Sequence, residues 1–149
     1  MDEIRPWLYI GNYNDTQNKE YLDSKPIQAM LQFATPVNQA GITSLYLSIK
    51  DMSPISSHLF KEGVEFVRNE KDKGHKILVA CAAGINRSTA FCIASLKEIE
   101  GLSLLDAFKD IKRSHSRSMP QEPVWESLCN YYNEETSYID LLRTSAQYY

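Results

Sequence analysis

The chain has 149 residues, of which 43% are hydrophobic and 23% charged, and its formal net charge is −3 at neutral pH. That length suits one domain, spanning 1–149, with a proper core. An acidic balance without a Lys/Arg run offers no platform for nucleic acid or an anionic membrane. No apolar run approaches the roughly 18–20 residues that cross a bilayer. The opening M-D-E-I-R-P-W has no apolar signal core, so secretion is not expected. Asp2 also stands where N-myristoylation requires glycine.

In chain order, Trp7 to Ile10 followed by Gly11-Asn12 reads as a strand ending in a turn. Ile27 to Phe33 and Ser44 to Ile49 read as further strands, and Lys76 to Ala80 as a short buried strand entered through Gly74. Helical spacing links Leu59, Phe60, Gly63, Val64 and Val67. It recurs from Ala90 to Ile99, with Gly101 closing that helix. Ser103 and Asp106 resemble a capping box for a helix carrying Leu104, Ala107, Phe108 and Ile111. Pro123 suits a first helical position before Val124, Trp125, Leu128, Cys129 and Tyr132. A last helix or tail is expected over 134–149, its helical part from Glu134 to about Thr144. Strands interleaved with helices imply an α/β fold with a mostly parallel sheet of about four to five strands, covered on both faces.

The cysteines are Cys81, Cys92 and Cys129, an odd number without C-x-x-C or zinc spacing. A reducing compartment follows, hence a cytoplasmic or nuclear protein. Cys92 and Cys129 lie in apolar helical patterns and read as buried packing residues. Cys81 differs, because it opens C-A-A-G-I-N-R-S between a buried strand and a helix. In parallel sheets, ligands bind beyond the carboxyl ends of the strands. A loop entering a helix N-terminus aims backbone N–H groups and the positive helix end at an anion. Gly84 lets the loop curl, Ala82 and Ala83 leave its backbone open, and Ile85 and Asn86 lead to Arg87. The Arg87 fork can hold two phosphate oxygens. The same donors favour a Cys81 thiolate, a nucleophile aimed at phosphorus. After a given cysteine, this pattern arises by chance roughly once in several thousand cases.

C-A-A-G-I-N-R-S resembles the signature of the cysteine-dependent protein tyrosine phosphatases: cysteine, five residues, then Arg and Ser or Thr. I-R-P-W-L-Y-I-G, L-S-I-K-D, L-F-K-E-G-V-E-F-V and M-P-Q-E-P-V-W-E-S-L resemble segments of the small dual-specificity phosphatases. The similarity runs over roughly residues 3 to 133. It implies attack by Cys81 to form a cysteinyl-phosphate, with phosphate held by Arg87 and the backbone of Ala82, Ala83, Gly84, Ile85, Asn86 and Arg87. Ser88 would assist the Cys81 sulfur as it leaves. Asp51, thirty positions before Cys81, would protonate the leaving group and then activate water. The implied substrate is a phosphorylated protein or peptide bearing phosphotyrosine, with phosphoserine and phosphothreonine as extensions. No metal and no cofactor are implied, and a monomer is expected. His58 and His75 read as surface residues, His115 as a surface residue with a role in orienting substrate as the alternative, Arg113 and Arg117 as candidates for the pocket rim, and Gln121 as a loop support or helix cap.

One position departs from the resemblance. The residue before the cysteine is usually His, which bonds backbone around the cysteine and orders the loop; here it is Ala80. A looser loop and a less favoured thiolate are expected. A loss of about 1.4 kcal/mol would lower the thiolate fraction tenfold. The alternative reading is therefore a weakly active or inactive relative that binds phosphorylated proteins. A sulfur- or arsenate-handling enzyme fits poorly with Asp51 and the helices after Ser88. Members acting on phosphoinositides tend to carry lysines in the loop, and this loop has none.

Overall fold

The computed structural model describes residues 1–148; Tyr149, the end of the expected tail, lies outside the described residues. The strands are β1 (Asp2–Arg5), β2 (Leu8–Asn12), β3 (Ile27–Gln32), β4 (Thr43–Tyr46) and β5 (Lys76–Cys81). They form a five-stranded sheet in the order β1-β2-β5-β3-β4. All neighbours are parallel except β1, which runs antiparallel to β2. The mostly parallel sheet matches the expected fold class. β5 lies at its centre, and the near-continuous apolar run I-L-V-A suits a strand covered on both faces.

Alternation along β5 sorts its side chains between two cores. Ile77, Val79 and Cys81 join the larger core. Leu78 and Ala80 join a smaller one with Tyr9, Leu22 and Met30. The larger core lies under α3 (Ser57–Asp72), α4 (Arg87–Glu100), α5 (Leu104–Ser114), α6 (Glu122–Tyr132) and α7 (Tyr138–Ala146). The smaller one is closed by α2 (Lys19–Ser24), which follows the short α1 (Tyr13–Gln17).

Phe91 of α4 packs against both α3 and the chain just after β3. Phe91 lies 4.4 Å from Phe33 and 5.1 Å from Phe60, ring centre to ring centre. Each such pair contributes about 0.5–1.5 kcal/mol beyond area burial. Gly63 permits this approach, since a Cβ there would lie 2.4 Å from Phe91 Cε1. At the far end of α4, Arg5 bridges Glu100 at 2.9 Å and Asp110 at 2.6 Å, tying β1 to two helices.

Several elements differ from expectation. β1, α1 and α2 were not anticipated. The strand read over Ser44 to Ile49 ends at Tyr46; Leu47 and Ile49 are buried in irregular chain instead. Pro123 falls second in α6, after Glu122. The last helix begins at Tyr138, capped by Ser137, rather than at Glu134. Cys92 is fully buried, whereas Cys129 is only partly so and lies 3.4 Å from the Thr136 carbonyl.

Candidate active site

The loop from Cys81 to Arg87 leaves the central strand at its carboxyl end and enters α4. Its peptide units are oriented from outside. Tyr13 N donates to Ala82 O at 3.3 Å, and Met119 N to Ile85 O at 3.0 Å. Thr89 Oγ1 also donates to Ile85 O, at 2.7 Å. In a trans peptide the carbonyl and the next N–H point in opposite directions. Carbonyls held outwards therefore turn the N–H groups of Ala83 and Asn86 inwards. Gly84 adopts a φ of +71°, and a Cβ there would lie 2.7 Å from the Gly11 carbonyl oxygen. Only glycine meets both conditions without strain.

Cys81 is buried, and its Sγ lies 3.1 Å from Ser88 Oγ. Arg87 is buried as well, with Nη1 donating to Ile49 O at 2.8 Å and Phe33 O at 3.1 Å. Those bonds clamp the guanidinium from behind. Its Nε is a buried donor with no hydrogen-bond partner among the described residues, facing Asp51 Oδ1 only as an ion pair at 3.5 Å. Leaving such a donor unsatisfied costs about 1–3 kcal/mol, which a bound oxyanion would recover.

Asp51 reaches the same place from the turn after β4. Its Oδ1 accepts from Asn86 Nδ2 at 2.7 Å and from Met52 N at 3.0 Å, and lies 3.5 Å from Arg87 Nε. The Asp51 side chain is half exposed, so solvent and substrate can reach it. Asn86 precedes α4 without capping it, because its side chain is committed elsewhere. Its amide N–H goes to Asp51, and its Oδ1 accepts from Gln121 N at 2.7 Å. Ser127 Oγ accepts from Ile55 N at 2.9 Å and pins the far end of the Asp51 segment to α6. The structure thus brings Asp51, Cys81, Arg87 and Ser88 together around one loop. Gln121 supports that loop through its backbone rather than its side chain.

His115 corrects the surface reading. It is buried, with Nε2 2.6 Å from Gly84 O and Nδ1 2.6 Å from Asp2 Oδ2. His58 is exposed, and His75 pairs with buried Glu70 at 2.6 Å. Arg113 turns to Asp110 on its own helix. Sequence reasoning missed Asn86 as a bridge and His115 as a loop contact. Burial, and secondarily the charge of Cys81, push the Cys92 thiol well up. Cys92 accordingly remains a packing thiol.

The model of the dual specificity phosphatase catalytic domain matches residues 8–134, and the chain belongs to that family. It is 34% identical over 137 residues to human dual specificity protein phosphatase 5, covering 89% of this chain and 35% of that protein. It is also 34% identical over 125 residues to mouse dual specificity protein phosphatase 15, covering 80% and 52%. The chain therefore spans about a third to a half of the length of these relatives. Among solved structures, human DUSP28 superposes with a TM-score of 0.84 at 23% identity, covering 89% of this chain and 96% of that one. The human tyrosine phosphatase-like serine/threonine/tyrosine-interacting protein superposes with a TM-score of 0.82 at 28% identity, covering 89% and 95%.

Proposed function

We propose that the chain is a protein phosphatase catalytic unit that hydrolyses phosphotyrosine, and phosphoserine and phosphothreonine, through a phosphorylated Cys81. One observation carries this reading: Cys81 Sγ, Ser88 Oγ, the Arg87 Nε without a hydrogen bond and Asp51 converge on one loop of inward-facing amides. Family membership and the relatives named dual specificity protein phosphatases support it.

In the first step the Cys81 thiolate attacks phosphorus and forms an S–P bond. The ester P–O bond breaks, and its electron pair passes to the leaving oxygen. Asp51 gives that oxygen a proton. Oδ1 is occupied by donors from Asn86 and Met52, so the transferable proton sits on Oδ2. Arg87 and the loop amides hold the equatorial oxygens as charge shifts onto them. In the second step Asp51 takes a proton from water, whose oxygen attacks phosphorus. The S–P bond breaks, and the Ser88 hydroxyl donates to the departing sulfur. Every group comes from one chain, so a monomer suffices, and a reducing cytoplasmic setting preserves the thiolate.

The alternative of a binding module without turnover draws only on Ala80, and the assembled catalytic groups outweigh it. The test is hydrolysis of an aryl phosphate without added metal. Cys81→Ser should abolish turnover. Asp51→Asn should lower kcat by about 10²–10⁴ for poor phenolic leaving groups and less for good ones. Turnover that survives in Cys81→Ser would overturn the reading.

A further inference from the structure

Between α5 and α6 the chain runs along the outer edge of the phosphate loop. Contacts follow in order: His115 Nε2 at Gly84 O, Met119 N at Ile85 O, and Gln121 N at Asn86 Oδ1. The first differs from the others because it comes from a buried imidazole rather than from backbone. A carbonyl oxygen only accepts, so Nε2 donates to Gly84. The Asp2 carboxylate at Nδ1 holds the ring in that orientation. The two partners lie 31 and 113 residues from His115, so the fold alone assembles this contact.

Glycine backbone is permissive, and the Gly84–Ile85 peptide has two orientations of opposite consequence. In one, Gly84 O points outwards and the Ile85 N–H faces the oxyanion. In the other, the carbonyl dipole faces the oxyanion and repels it. We propose that His115, held by Asp2, is a positioning residue that fixes the Gly84–Ile85 peptide in the orientation that presents the Ile85 N–H to phosphate. The proposal rests on the phosphatase reading of the same loop.

The test measures tungstate binding to Cys81→Ser protein and, in the Cys81 background, kcat and KM for an aryl phosphate per folded molecule. The variants are His115→Leu, His115→Gln, Asp2→Asn and the His115→Gln/Asp2→Asn pair. His115→Leu fills the space but donates nothing. It should lose about ten- to a hundredfold in both tungstate affinity and kcat/KM, less than the roughly 10²–10³ of removing an oxyanion donor outright, because the Ile85 N–H is misoriented rather than deleted. His115→Gln keeps a donor for Gly84 O but turns its own carbonyl to Asp2. It should recover part of the loss, and adding Asp2→Asn should recover more. Asp2→Asn alone, at a half-exposed side chain, keeps the protein folded and should give a smaller loss of the same kind.

A merely structural His115 would lower the unfolding temperature and leave both parameters within about twofold of the parent; that result overturns the proposal while the phosphatase reading stands. Parent protein without Cys81-dependent turnover defeats the phosphatase reading, and the tungstate titrations then decide the role of His115 alone. Parent protein that binds no tungstate overturns both.

Discussion

Gly84 and Ala80 set opposite constraints on the loop. Gly84→Ala places a methyl against the Gly11 backbone and forces a side chain into left-handed φ. The backbone term alone costs about 1–2 kcal/mol. The variant should show a lower unfolding midpoint and lose most kcat/KM for aryl phosphate. Ala80 points to the other face of β5, among Tyr9, Leu22 and Met30. An imidazole there has to displace apolar neighbours, at about 1–3 kcal/mol for overpacking. The looser loop and less favoured thiolate expected from Ala80 are therefore not relieved by Ala80→His, which should lower the thermal midpoint without raising the rate; a higher midpoint with faster turnover would mean that the ring finds hydrogen-bond partners in that core. Cys81, Arg87 and Ser88 were legible because their spacing in one short segment reports one loop. His115 was not, because its partners come from β1 and the phosphate loop.

At the scale of elements, the seam between α3 and α4 supports the site from below. Gly63→Ala meets the Phe91 ring at 2.4 Å, and overpacking outweighs the roughly 1 kcal/mol gained in helix propensity. Its unfolding midpoint in urea should fall with the slope unchanged. The long helices were readable for two reasons: α3 and α5 each bury one spaced set of side chains, whereas α4 is buried at every position from Arg87 to Leu96 and showed itself by its dense apolar run. The short ones were not, although Asn12 and Asp15 form a reciprocal capping box that marks the start of α1. β1 is polar, with only Ile4 buried, so alternation could not reveal it. β4 was read too long because burial of Leu47 and Ile49 continues after the strand ends, where the chain turns towards Asp51.

Over the whole molecule, burial is the leading cause that pushes Tyr9, Tyr21, Tyr131, Tyr132 and Tyr138 above the ordinary tyrosine range. Tyr132 also donates to Glu98 across from α6 to α4. In the unfolded chain these phenols release protons near pH 10, whereas the folded chain retains them. Above that pH the folded state binds more protons than the unfolded state, so stability falls as pH rises. Tyr132→Phe removes one such group, and its stability should decline less steeply between about pH 10 and 11 than that of the parent. The catalytic account places the covalent step at Cys81, and it is tested most directly by acid-quenching a reaction with aryl phosphate and examining the Cys81 peptide by mass spectrometry. The account predicts one phosphoryl group on Cys81 during turnover, absent from Cys81→Ser. Continued turnover with that peptide unmodified, and at an equal rate in Cys81→Ser, would contradict it.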